Sequence, residues 1–404
     1  MPDDVPDIEV PEIDVPDIDV SHLDLDEPEP ELPDAKEAEA EKSKEKRVTF
    51  AELFFDLVFV FAITQLSALL HEDHSWSGVG RALILLIPIY WGWVGISLHS
   101  NFHDVDRTFD RLAIFTVGLA SLMMALAVTD AFGDRGRLYG AGYLTIRIVL
   151  AAAIFRGWPT MVNGFSVGLT VTGPLLLIGG FLEPGFRLLV WSVAGAIDLS
   201  LPFILRRKMA GSQFQSSHLL ERFGLFIIIA LGESIVAIGS PVAGGRLVNS
   251  EVLAVALAFV VACGLWWVYF AFAAGAMLHA VDKASNQSEV VREVLSYGHL
   301  LLIASIISLA VGLTEAVAHP TDTLRLDVSA LLFGGCALYL ATFGYTRWRM
   351  YRRVSTTRLG SASLLLLLLP VSTQVPALVS VGTIAAVLIV LNLEEHRRVK
   401  VGTA

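Results

Sequence analysis

From residue 52 onward, apolar runs of about twenty residues recur along the chain, separated by short polar or glycine- and proline-containing breaks. At about 1.5 Å per residue, a helix of that length crosses a hydrocarbon core of roughly 30 Å. The pattern predicts an all-α polytopic membrane protein with twelve transmembrane helices, at 52–70, 80–99, 110–128, 138–155, 166–181, 187–205, 221–240, 251–274, 297–317, 328–347, 361–375 and 376–393. In the last two, "SASLLLLLLPVSTQVPALVS" carries Pro370 and Pro376, which break or kink a helix unless neighbours satisfy the freed carbonyls. A re-entrant pair is the alternative to two full spans there.

The two halves of the pattern resemble each other. The second predicted helix ends "WGWVGISLHSNFHDVDR" and the eighth "WVYFAFAAGAMLHAVDK", which aligns Trp91 with Trp267, His103 with His279, Asp106 with Asp282 and Arg107 with Lys283. The third ends "ALAVTDA" and the ninth "AVGLTEA", pairing Asp130 with Glu315; the first and seventh pair Glu52 with Glu221. Two six-helix repeats are expected, 47–210 and 211–404. Because six is even, both enter the membrane in the same direction, as in parallel-repeat transporters.

Charge separates a tail from this body and orients it. Residues 1–46 hold 18 acids against 4 bases, whereas the whole chain carries −11, so the tail accounts for the acidity and the remainder is slightly basic. The tail opens with the pentads "VPDIE VPEID VPDID VSHLD", whose prolines and charge density predict a disordered, solvated cytoplasmic segment. No basic stretch precedes an apolar one there, so no cleavable signal peptide is expected. With the N-terminus inside, 22 Lys and Arg fall in cytoplasmic segments and 6 in external loops, placing both termini in the cytoplasm of a plasma (inner) membrane protein. Cys263 and Cys336 both lie inside apolar runs and offer neither a disulfide framework nor metal-type spacing.

Ionisable side chains in hydrocarbon are costly and usually face a partner, a cavity or water. Glu233, in "LGESIVAIG", lies about 16–18 Å from the cytoplasmic end of its helix at about 1.5 Å per residue, close to the midplane. Asp198 and Arg147 reach similar depths from the opposite side. Two readings fit this trio: an internal ion pair, Arg147 with Asp198 or with Glu233, or the lining of a permeation path. Glu52 and Asp56 sit one turn apart at the head of "ELFFDLVF", where two like charges repel unless a cation stands near. The helix dipole favours both, and Arg47, Arg107, Arg222 or Arg292 could neutralise them, as an anchoring node or as a vestibule that attracts cations.

Towards the same face lie His103 with Asp106, His218 with Glu221, His279 with Asp282, and His299. None matches a zinc pattern such as H-E-x-x-H, so no metal and no cofactor is expected; a hydrogen-bond network at the helix ends accounts for them. Phosphate-loop, nucleophile-elbow, dinucleotide and basic-aromatic signatures are absent, which excludes a nucleic-acid partner from the reading.

Three blocks, "ELFFDLVFVFAITQL" at 52–66, "HLLERFGLFIIIALGESIVAIG" at 218–239 and "YGHLLLIASIISLAVGLTEAVAHP" at 297–320, resemble the bacterial low temperature requirement protein A family. The resemblance implies a polytopic inner-membrane protein and supplies no reaction. "FFDLVFVFAIT" is also similar to the F-S-D block that opens the first helix of lysosomal and bacterial potassium channels, with Phe54, Phe55 and Asp56 in its place. That likeness implies Ile63 and Thr64 as pore-facing residues. The functional expectation is therefore a transporter or channel for a small solute or cation, embedded in the lipid bilayer, with room for a homo-oligomer. The alternatives are a scaffold or sensor in cold or stress adaptation, and a membrane enzyme using the His/Asp/Glu cluster.

Overall fold

The computed structural model describes residues 46–103, 105, 107–155, 164–209, 211–245 and 247–400. The acidic pentads and Asp106 lie outside the described residues. Twelve principal helices follow one another: α1 (Phe50–Glu72), α2 (Trp76–Phe102), α3 (Thr108–Asp130), α4 (Gly136–Phe155), α5 (Gly164–Gly179), α6 (Pro184–Ile204), α7 (Ser216–Val242), α8 (Asn249–Lys283), α9 (Gln287–Ala318), α10 (Leu326–Tyr351), α11 (Thr356–Ser372) and α12 (Ala377–Lys400). Among the described residues, nine of these are long and apolar enough to cross a membrane; α5 and α11 are shorter apolar helices, and α4, with 20 residues, carries Arg147 in its middle.

Local chemistry sets the ends. Thr49 caps α1: its hydroxyl accepts from the Glu52 amide, and the Glu52 carboxylate accepts from the Thr49 amide at 2.8 Å, a capping box. Ser75 starts α2 by accepting from the Gly78 amide, and Pro184 opens α6. Arg352, at φ 54°, turns the chain out of α10. Two helices run further than their hydropathy suggests. α8 continues through a π turn (Val268–Ala273) to Lys283, and α9 begins at Gln287 with a π segment (Val291–Gly298) that carries Arg292 and Glu293. Pro370 lies within α11 near its end, and α11 and α12 pack as an antiparallel hairpin. The hairpin is closed by Arg358, near the start of α11, and Glu395, near the end of α12, with both hydrogen bonds at 2.7 Å.

The core runs the length of the bundle between α1, α2, α4, α7, α9 and α10, with Phe59, Tyr90, Trp93, Phe226, Ile303 and Tyr339 fully buried. α1 packs on α3, α3 on α4, α4 on α5 and α2 on α6; in the second half α7 packs on α9, α9 on α10, α10 on α11 and α8 on α12. Small residues permit the closest of these approaches: a Cβ at Gly312 would stand 2.6 Å from the Leu332 Cβ, and one at Gly335 2.9 Å from the Ser305 carbonyl, so α9 and α10 meet nearly backbone to backbone. Outward faces are apolar, with Leu57, Leu119, Leu189, Phe259, Leu367 and Val390 all exposed. Large apolar side chains exposed on so many helices are what a bilayer covers.

Candidate functional site: three buried polar clusters

The first cluster joins the starts of α1 and α7. Glu52, Asp56, His218 and Arg222 are all buried. One Arg222 Nη lies 3.0 Å from Asp56 Oδ1 and its Nε 3.9 Å from Glu52 Oε1, so a single guanidinium stands between the two carboxylates. Trp93 Nε1 donates to Asp56 Oδ1 at 2.8 Å, His218 Nε2 lies 3.1 Å from Glu52 Oε1, and Asn101 from α2 contacts His218 Nδ1. The rings of Trp93 and Phe55 flank the guanidinium. Of the bases that could neutralise the pair, Arg222 does so. The charges are paired, but the hydrogen bonding is incomplete: Asp56 Oδ2, Arg222 Nε and Arg222 Nη1 are buried with no hydrogen-bond partner among the described residues.

The second cluster lies within the first half. An Arg147 Nη from α4 lies 3.0 Å from Asp198 Oδ1 of α6, Thr172 Oγ1 of α5 donates to the same oxygen at 3.0 Å, and the Tyr143 hydroxyl donates to Oδ2. Arg147 also donates to the Tyr143 hydroxyl, one turn away on α4. The π turn Gly168–Thr172 brings α5 close here: a Cβ at Gly168 would touch the Arg147 side chain at 3.0 Å. Arg147 Nε, although buried, has no hydrogen-bond partner among the described residues.

Arg147 and Asp198 form part of the wall of a cavity of about 310 Å³. Its other walls are the final turns of α2 (Trp91, Val94, Leu98, His99), Phe165 of α5, the end of α6, and Ser288, Arg292 and Ser296 from the start of α9. Lys208, Ser212 and Phe214, from the connection between α6 and α7, complete it at the end of the bundle where α1 begins. The cavity thus lies between the halves. Its size falls at the lower end of the range of small-molecule sites, and its largely apolar wall with a few convergent charges has their usual character. A larger cleft of about 770 Å³ at the starts of α11 and the ends of α10 and α12 is walled by Arg347, Arg353, Arg358 and Arg398, and its buried acid, Glu395, is already held by Arg358.

The third cluster is Glu233 with Thr64. The Thr64 hydroxyl, on α1, lies 2.5 Å from Glu233 Oε2 on α7, and Glu233 is 4% exposed. Arg147 pairs with Asp198, so of the two pairings open to it the one with Glu233 is not formed. Ile63 is packed in the core.

The remaining residues singled out from the sequence disperse. Glu221 accepts only weakly from the Val48 amide at 3.4 Å. His103 stacks on His99 with ring centroids 4.5 Å apart and joins the cavity wall, whereas His279 and Asp282 are exposed at the end of α8. His299 is buried and hydrogen-bonds the Tyr269 hydroxyl at 2.8 Å. Asp130 accepts from the Asp134 amide in the turn after α3, and Glu315 lies near His71 and His74 at the far end of the bundle. Asp106 falls outside the described residues. Among the described residues, these histidines and acids are spread over several sites rather than gathered into one.

Several working residues gave no signal in the sequence. Tyr143 and Thr172 complete the shell of Asp198, and Trp93 that of Asp56. Arg187, which reads as a loop base, is buried and donates to the carbonyls of Ala131, Gly133, Gly179, Gly180 and Leu182, closing the ends of α3 and α5.

The family pattern described as "Bacterial low temperature requirement A protein (LtrA)" matches residues 47–393, which takes in all three clusters. The chain belongs to the LtrA family. It is also 30% identical over 333 residues to "Uncharacterized protein RA0937" of Rhizobium meliloti (strain 1021), covering 78% of this chain and 80% of that one. No solved structure matches. Membership of this family together with the apolar exterior makes the chain an integral membrane protein of the LtrA type. Its three family-like blocks contribute Glu52 and Asp56, then His218, Arg222 and Glu233, then His299 and Glu315.

Proposed function

We propose that this LtrA-family protein is a plasma-membrane transporter that binds a small solute with an ionic group in the cavity between its halves. The observation that carries this reading is the cavity wall formed by Arg147 and Asp198, where a buried guanidinium retains an Nε with no partner among the described residues. An arginine held by a carboxylate, yet with a donor to spare, suits recognition of a carboxylate or similar anion. Two parallel six-helix repeats, with twelve spans and both termini in the cytoplasm, are the architecture that goes with it. Support comes from the helix pairs that recur between halves, and from Tyr139 on α4 bonding the Leu85 carbonyl on α2 as Tyr339 on α10 bonds the Leu265 carbonyl on α8. On this topology the cavity opens to the cytoplasm.

The test is flux in proteoliposomes across a panel of small carboxylates, amino acids and alkali cations, with a pH-sensitive dye inside. The double variant Arg147→Gln, Asp198→Asn keeps hydrogen-bonding groups at both positions and leaves no uncompensated charge. It should fold and lose flux of the transported solute. Wild-type flux in a folded double variant, or no flux of any panel member by the wild type, would overturn the proposal. A scaffold predicts the second result.

A further inference from the structure

At the end of the bundle opposite the cavity mouth, three side chains converge that the functional reading does not use. His71 lies in the last turn of α1, His74 in the connection to α2, and Glu315 one turn before the end of α9. His71 Nδ1 is 3.6 Å and His74 Nε2 4.0 Å from Glu315 Oε1, and the three ligand atoms lie within 4.8 Å of one another. The two imidazoles stand edge to face, with ring centroids 5.6 Å apart and planes at 87°. Three ligands at about 2.0–2.1 Å in tetrahedral array would be about 3.4 Å apart, so only small side-chain rotations separate this arrangement from a metal-bound one. A second observation points the same way: His74 Nε2 is buried yet makes no hydrogen bond among the described residues. A buried ring nitrogen with no partner, aimed at a carboxylate and a second imidazole, is poised to ligate.

We propose that His71, His74 and Glu315 form a divalent transition-metal site that clips the end of α1 to the end of α9. Two imidazoles and one carboxylate with further positions open to water are a donor set shared by zinc and ferrous iron, and zinc is the redox-inert probe of the two; an all-oxygen shell would be needed for calcium or magnesium. Since α1 and α9 belong to different halves, the ion would tie the halves together at this end. Burial holds the His74 imidazolium pKa below its usual value, against the opposing pull of Glu315, so the ring is available in its neutral, ligating form.

The experiment uses the full chain in detergent with any affinity tag removed. Zinc binding is measured by calorimetry, and the ligand shell by X-ray absorption at the zinc edge. Wild-type protein should bind one ion through two imidazoles and oxygen ligands. His74→Ala and Glu315→Gln should each weaken that binding by more than the roughly 10–100-fold that follows loss of an outer-shell partner. His71→Ala, at a more exposed position, should do the same with folding undisturbed. The proposal is overturned if the wild type binds no zinc at 100-micromolar order, or if folded His71→Ala binds it as the wild type does. Neither outcome depends on transport, so this site and the solute cavity stand or fall separately.

Discussion

Replacing Arg222 by Met removes the cation between Glu52 and Asp56 while keeping a long, apolar side chain for the rings of Phe55 and Trp93. Before the change, the guanidinium lies 3.0 Å from Asp56, 3.9 Å from Glu52 and 3.3 Å from the Ser97 hydroxyl, in surroundings where Glu52 and Arg222 are 0% and Asp56 2% exposed. Afterwards Glu52 still has Thr49 and His218, whereas Asp56 retains only the Trp93 donor. Removing one partner of a buried ion pair costs about 3–5 kcal/mol, and most of it falls on Asp56. For a chain longer than 250 residues each kcal/mol moves the melting temperature by about 2 °C or less, so a fall of several degrees, up to about 10 °C, is expected. Melting in detergent measures it, with Asp56→Asn as the second arm of a double-mutant cycle. The amide still accepts from Trp93 and carries no charge, so the Arg222→Met, Asp56→Asn double variant should recover much of the loss. An unchanged melting temperature in Arg222→Met, or a double variant no more stable than the single one, would refute the assignment of Arg222 as the neutralising group.

Glu233→Gln should change stability by about 1 kcal/mol or less, because the amide oxygen still accepts from Thr64; adding Arg147→Gln should cost the same in either background, and a coupling between them in a melting cycle would contradict the separate clusters. Arg187→Met should destabilise the protein by about 3 kcal/mol or more by stripping donors from several buried carbonyls, and Arg187→Lys should restore little, since an ammonium lacks the planar fork; melting of the two variants decides it. Zinc affinity should fall on acidification as protons compete for the imidazoles, but burial of His74 shifts its share of that loss to lower pH than for an exposed histidine; His71, Glu315, Asp327 and Arg325 are the charged or titratable groups acting on that ring, and calorimetry between neutral and mildly acidic pH reads the shift. Reporter fusions after residue 210 and at the C-terminus should report cytoplasm, and a periplasmic signal at either would remove the proposed topology.

Where the hydrophobic pattern was clean, helices could be read directly from it: the first is expected from residue 52 and begins at Phe50, behind a capping box of Thr49 and Glu52 that the structure reveals. Helix ends that outrun the apolar stretch could not be read. The π segment of α9 carries Arg292 and Glu293, paired with each other at 2.9 Å, and hydropathy alone stops short of it. Pro370 suggested an interruption, yet it lies so near the end of α11 that the helix continues through it. That Arg147 needs an acid and the Glu52–Asp56 pair a cation was legible, but Asp198 or Glu233, and any of four bases, stayed open until packing chose Asp198 and Arg222. The hydroxyl partners Thr64, Tyr143 and Thr172 were not legible, since such residues occur throughout apolar helices and only packing reveals which face a carboxylate. His71, His74 and Glu315 come from opposite halves of the chain, and no local spacing announces them.

The most direct test of the central claim blocks the cavity without touching its charges. Ser212 lines the wall near the connection between α6 and α7, away from the Arg147–Asp198 pair, and Ser212→Trp would place an indole across it. Uptake of the transported solute into proteoliposomes is then compared with wild type at matched melting temperature. Loss of uptake with the fold intact is the predicted result; undiminished uptake would show that the solute does not pass through this cavity.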